Sequence, residues 1–205
     1  MRQLLPFLTL LVSAHLAQGV TIDVDTSAAP DLADFGRRVK ATLEDWYPRV
    51  VEILNSPTFQ PIDRIPIYFD PTYDGVAYAG GGRIVGAVNY YRDHQDDVGS
   101  MVHEMAHIIQ SYSRCDGWVT EGLADWVRYW HYEPNRKPGK PGPGSHYTNG
   151  YGVSAYFLDW INARWNPMNY WINKDCREGT YDVSIFPRLT GKTVDEHWND
   201  MMNSK

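Results

Sequence analysis

The chain changes its hydrophobic rhythm as it proceeds. Thr21 to Asp25 and Arg64 to Asp70 alternate apolar and polar residues, a period of two that sends successive side chains to opposite faces of a strand. Between them, Asp31 to Asn55 repeats its apolar positions every three to four residues. That spacing predicts an amphipathic helix, bent or split at Pro48, which lacks the N–H a helix interior needs. Tyr73 to Asn89 is rich in β-prone residues but broken by Gly75 and by Gly80-Gly81-Gly82, the composition of a hairpin ending in a strand from Arg83 to Asn89. If that last strand forms the sheet edge, its free backbone groups can take up an extended peptide by strand addition; an ordinary strand without that role is the alternative.

From Asp96 onward the pattern is helical. Asp96 or Asp97 can cap a helix running to about Tyr112, with Met101, Met105, Ile108, Ile109 and Tyr112 making it largely apolar. A second helix is expected to open after Thr120 as N-cap and carries Leu123, Trp126, Val127 and Trp130. Glu133 to Ser145, rich in Pro, Gly, Lys and Arg, reads as a loop that either rims a cleft or merely spans a distance. Gly150 to Asn166 has helical apolar spacing, and Thr193-Val194-Asp195-Glu196 is a capping box for a final helix. No repeat or linker interrupts this order. Strands and an early helix followed mostly by helices predict one α+β domain over residues 20–205.

Residues 1–19 stand apart. Arg2 precedes the apolar run Leu4 to Val12, and Ala17-Gln18-Gly19 offers small residues for cleavage, so the segment reads as a secretory signal too short to span a bilayer. The whole chain carries 19 Lys+Arg against 25 Asp+Glu, a formal net charge of −6. Arg2 is the one charged residue a cleaved leader would remove, which leaves 18 basic groups against 25 acidic and a mature charge of about −7. No basic cluster points to nucleic acid or to an anionic membrane. A soluble, secreted monomer is expected. Cys115 and Cys176 are the only cysteines, and a pair in an exported chain predicts a disulfide; Cys115 as a metal ligand is the less favoured reading. In the loop-entropy model such a link contributes about 4 kcal/mol.

The candidate chemistry lies at His103-Glu104-Met105-Ala106-His107. Two imidazoles four residues apart share one helical face and can grip one divalent ion, while Glu104, beside that face, can reach a water without binding the metal. Catalytic zinc takes three protein ligands and keeps one position open. Two neutral imidazoles and one carboxylate leave it net positive, lowering the pKa of a bound water from ~15.7 toward ~7. The third ligand must come from another element, and Glu121 and Asp125 both qualify. Glu121 is favoured, with Asp125 one turn later as hydrogen-bond acceptor for the outward N–H of His103 or His107; the reverse assignment stays open. Tyr151, just past the Pro/Gly loop with His146 and Tyr147 behind it, is the candidate donor to a developing oxyanion.

These residues carry a resemblance. Val102 to His107, then Thr120-Glu121-Gly122-Leu123-Ala124-Asp125-Trp126-Val127-Arg128, resemble the plant basic secretory protein family and its bacterial and fungal relatives, with further matches at Lys140-Pro141-Gly142, Gly150 to Asp159 and Leu189 to Asp195. The resemblance implies a zincin-like fold of the glutamate-ligand kind, one catalytic zinc held by His103, His107 and Glu121, and Glu104 as catalyst of peptide hydrolysis. The acidic charge departs from the family's name and bears on partners, not on chemistry. Gly86-Ala87-Val88-Asn89 is similar to a strand of zinc aminopeptidases but has no Glu to hold a free amine, so an endopeptidase is favoured over amino-terminal trimming. The alternatives are a metal-stabilised binding, defence or host-interaction protein with little proteolysis, and, more weakly, a non-peptidase zinc hydrolase.

Overall fold

Parallel pairing of the first two strands sets the sheet. The computed structural model describes residues 19–204, and the expected secretory signal, apart from Gly19, lies outside them. Strand β1 (Thr21–Asp25) runs beside β2 (Arg64–Asp70) with Ile22 opposite Ile65 and Val24 opposite Ile67. Strand β2 pairs in parallel with β4 (Arg83–Ala87), and β3 (Ala77–Gly80) closes the order β1-β2-β4-β3 as an antiparallel edge. The β3–β4 turn is two residues long, Gly81 and Gly82, both with positive φ (59° and 75°). Only glycine takes two such conformations without steric cost, and this geometry suits the twist of a tight hairpin.

The hairpin therefore exists, but its second strand is not the edge. Strand β4 lies between β2 and β3, its residues Ile84 to Ala87 are all buried, and it gives way at Val88 to helix α2 (Val88–Asp93). The near-continuous apolar run Ile84-Val85-Gly86-Ala87 is what a strand covered on both faces requires. Nor does Pro48 split the first helix: of the bent or split helix expected there, α1 (Ala33–Ile53) is the continuous form. Pro48 sits on the exposed side, where water can satisfy the carbonyl it leaves free, while Val39, Leu43, Tyr47 and Val50 hold the opposite side in the core.

Two apolar cores result. The first packs α1 and α3 (Val98–Gln110) against the sheet, through Phe35, Leu43, Ile67, Met101, Val102 and Met105. The second is purely helical and joins α4 (Gly117–Trp126), α5 (Tyr151–Asn162), α6 (Met168–Glu178), α7 (Ile185–Thr190) and α8 (Val194–Asn203) around Leu123, Phe157, Ile172, Phe186 and Trp198. Helix α4 belongs to both, with Trp118, Val119 and Leu123 in the second core but Ala124 in the first. A Cβ on Gly122 would stand 2.7 Å from the Cβ of Ser154, so α4 and α5 approach as closely as they do only because that position has no side chain. No helix among the described residues is long and apolar enough to cross a membrane.

Polar ties from α6 bind the two halves together. The Arg177 guanidinium is buried and donates to the carbonyls of Ile109 (2.9 Å) and Gln110 (3.1 Å) at the end of α3, to Leu54 O (3.0 Å) just past α1, and to Ser56 Oγ. A cation at a helix C-terminus meets carbonyls that have no partner within the helix, and the macrodipole adds to the attraction. Asn173 adds bonds to Leu54 O and Asn55 O, and the expected Cys115–Cys176 disulfide is formed. Replacing Arg177 by Met would leave several buried carbonyls unpaired, and urea denaturation should show a loss of about 3 kcal/mol. The same change at exposed Arg164, which lies just past α5 and touches only the carbonyl and ring of Trp160, should stay within about 1 kcal/mol.

Candidate functional site

Where α3 faces α4, the seam between the cores becomes polar. Asp97 caps α3, accepting from the Ser100 N–H at 3.2 Å. The helix stops at Gln110, short of the expected Tyr112, because Ser111 turns into the left-handed region (φ 42°). His103 and His107 project from one face toward the same point, with Nε2 atoms 2.9 Å apart. Glu121 completes the set from α4, its Oε2 standing 3.3 Å from His103 Nε2 and 3.4 Å from His107 Nε2. Thr120 is not the N-cap. Helix α4 opens at Gly117 after Asp116, whose carbonyl accepts the N–H groups of Val119 and Thr120 and the Thr120 hydroxyl, so Glu121 sits in the second turn.

The three atoms fit a small dication. Ligands about 2.0–2.1 Å from a tetrahedral zinc stand roughly 3.4 Å from one another, close to the two long edges of this triangle. Among the described residues His103, His107 and Glu121 form the one group of His, Cys, Asp or Glu side chains that converges in this way. Asp125 stands outside this group. Its Oδ1 lies 2.7 Å from His103 Nδ1, the acceptor position expected of it. The partner of His107 is Gln110, whose Oε1 stands 2.7 Å from Nδ1 and whose amide donates at 2.9 Å to Thr120 O. Gln110 was not anticipated, although an amide three residues after a histidine on one helix was a visible signal. Each Nδ1 faces an oxygen acceptor, so whenever the rings are neutral it is the Nε2 lone pairs that face the common point.

The electrostatics suit a bound positive charge. Burial alone would keep His103 neutral, but Asp125 and Glu121 outweigh it and raise its pKa to about 9. Burial opposes ionisation of Glu121, yet the two histidines hold its carboxyl at about 2. Glu104 behaves differently. It is buried beside the triad without belonging to it, and burial lifts its pKa more than the neighbouring histidines depress it. A carboxyl so raised can take up and give back a proton, which Glu121, held ionised, cannot.

A cleft of about 740 Å³ opens above these groups. One wall is the edge strand, with Tyr78 and Ala79; the other carries Tyr129, Tyr151 and, from the Pro/Gly-rich loop, Arg136 and Pro138. That loop does rim the cleft. Tyr151 begins α5 with φ 47°, a left-handed conformation rare for a bulky side chain, and its ring lies 6.1 Å from that of His103 at an interplanar angle of 18°. It is 59% exposed, and the Glu121 charge raises its hydroxyl pKa above the ordinary phenol value. Tyr147 points the other way, into the second core, donating to Asp195 at 2.9 Å, and His146 caps the short turn before α5. Neither lines the cleft.

Half-buried Arg128 braces the start of α3, bonding Asp97 Oδ1 and Glu133 Oε1 at 2.6 Å each. It comes from a π-helical continuation of α4, Val127–Tyr132, whose wider turns occur often at functional sites. A Cβ on Gly99 would collide with Glu133, so that contact too depends on a missing side chain.

A histidine whose pKa is raised on folding stabilises the protein fully below its unfolded value, and the contribution is lost as pH climbs through the folded value. Chelator-treated protein should therefore lose unfolding free energy between pH 6.5 and about 9. Urea titrations should show a shallower loss in Asp125→Asn, and an unchanged slope would contradict the role given to Asp125.

No curated protein and no solved structure matches this chain. A family model described as BSP, peptidase of plants and bacteria, matches residues 18–201, and by that span the chain belongs to this peptidase family.

Proposed function

We propose that this chain is a secreted zinc-dependent endopeptidase of zincin-like fold, with His103, His107 and Glu121 as metal ligands. The observation that carries this reading is the convergence of two Nε2 atoms and one carboxylate oxygen on a single point in the floor of an open groove, beside the buried Glu104. Zinc bound there supplies Lewis acidity, polarising a peptide carbonyl and acidifying water.

The chain's own residues do the rest. Glu104 accepts a proton as water attacks the peptide carbonyl and returns it to the leaving amine, and its raised pKa serves both transfers. Asp125 and Gln110 keep the imidazoles in one tautomer and orientation. Tyr151, at the lip of the groove, offers its hydroxyl to the oxyanion that develops on the carbonyl. Strand β3 has its outer edge unpaired, and Ala79 lies against Glu104, so an extended substrate can add to the sheet beside the base. The groove continues past His107 and Glu121 on the far side, which favours internal bonds over chain ends. The leader read in residues 1–19 and the Cys115–Cys176 disulfide fit an oxidising, extracellular setting, with residues 20–205 acting as one monomeric domain.

Metal analysis combined with chelator-sensitive cleavage of an unfolded protein mixture tests the assignment. Glu104→Gln should keep zinc while kcat falls by about 10²–10⁴-fold. His107→Ala should lose zinc and activity together. Equal residual activity in all variants would exclude the mechanism, and stoichiometric zinc without cleavage would make this a metal-stabilised binding protein. Tyr151→Phe should lower kcat by about a hundredfold with KM little changed; an unaltered kcat removes Tyr151 from the oxyanion site.

A further inference from the structure

The groove is chemically unequal on its two sides. A second depression of about 510 Å³ shares Ala79, His107 and Glu121 with the main cleft, so the two form one channel interrupted by the triad. On the first side the walls are aromatic, and the cations there are already matched: Arg128 by Asp97 and Glu133, Arg136 by Asp96 at 2.7 Å. On the second side the charged lining residues are His107, Glu121 and Arg114. Glu121 and His107 face each other. Exposed Arg114 makes no side-chain hydrogen bond or ion pair among the described residues, and the charge of Asp182 reaches it only at a distance.

The backbone that presents Arg114 is held from several directions. Its N–H donates to Cys176 O at 3.3 Å, the next residue is tied covalently to Cys176, and Ser111 N–H returns to His107 O at 3.3 Å. A guanidinium with free donors on an anchored loop can receive a carboxylate, since its planar fork matches two carboxylate oxygens. In a protein of net charge −6, an unmatched cation in the lining of the depression that His107 and Glu121 share singles out an anionic partner.

Resting on the peptidase reading above, we propose that Arg114 determines specificity, by binding a carboxylate of the peptide substrate on the side of the scissile bond away from the tyrosine-lined cleft. Because the channel is open on both sides of the triad, that carboxylate is an Asp or Glu side chain within a few residues of the cleaved bond. A free chain terminus has the same chemistry and is separated from it by blocking the ends of the peptides.

The test uses zinc-loaded full-length mature protein and an acetylated, amidated peptide library read by mass spectrometry. Wild type should enrich Asp and Glu at one position on one side of the cut. Arg114→Gln should reduce the kcat/KM ratio of acidic to neutral peptides by about tenfold, and Arg114→Glu should turn the preference toward Lys and Arg. Cleavage with no acidic enrichment, or with enrichment unchanged in Arg114→Gln, overturns the proposal, as does a preference that appears only with free C-termini. Binding of the same blocked acidic peptide to the Glu104→Gln protein, by calorimetry, decides the matter independently of turnover. A tenfold or greater loss of affinity on adding Arg114→Gln supports the carboxylate site even if wild type cleaves nothing, an outcome that would sink the peptidase reading alone. Equal affinity in the two proteins rejects the Arg114 site.

Discussion

Two imidazoles can aim the same nitrogen at one point only if their other nitrogens are tied down, and much of this structure serves that constraint. His103 is tied to Asp125 on the facing helix and His107 to Gln110 on its own, and Gln110 in turn bonds the backbone of α4. The separation of α3 and α4 is thereby fixed to hydrogen-bond tolerance. It is fixed from behind as well, since α4 must lie close enough to α5 for Gly122 to touch Ser154. A disturbance in the helical core is therefore felt as a rotation of an imidazole.

Much of the fold was legible in the sequence because its signals are local. Strands β1 and β2 and the final capping box follow from alternation and from a four-residue pattern, and the spacing of His103 and His107 on a helix is a matter of pitch. Glu121 and Asp125, one turn apart, share a helical face for the same reason, whereas their meeting with the histidines is inferred from the need for a ligand on a second element and from the family resemblance. What stayed hidden depended on contacts distant in sequence. Whether β4 or β3 forms the edge is decided by the parallel partner β2, which no period within the hairpin reveals. The start of α4 is expected at Thr120, a capping type, but packing of Trp118 and Val119 into the second core draws the helix back to Gly117. Arg177 gave no sign of its position, because charged residues near helix ends are usually solvated.

The acidic surface and the site obey separate rules. Several ion pairs lie between exposed partners, such as Lys40–Glu44 and Arg49–Asp45 one turn apart on α1, where screening leaves little net stabilisation. The largely shielded set around Arg128 is of another kind, with two carboxylates and one guanidinium holding the start of α3 against the π-helical segment. Such groups break even only when every member is bonded, so they fix geometry more than they add stability. Overall charge can drift while the seam stays intact, and an acidic chain can belong to a family named for basic members.

The anchoring of α3 by a helix from the last third of the chain has a consequence for how damage is distributed. The converging side chains come from one compact stretch, yet the end of the helix that carries two of them is gripped by Arg177, with the disulfide to Cys176 close by. Harmful substitutions should accumulate in two regions unrelated in sequence, one at the histidines and another some seventy residues later on the inner face of α6. A truncation that spares every converging side chain but removes α6 would leave the histidines on a frayed support.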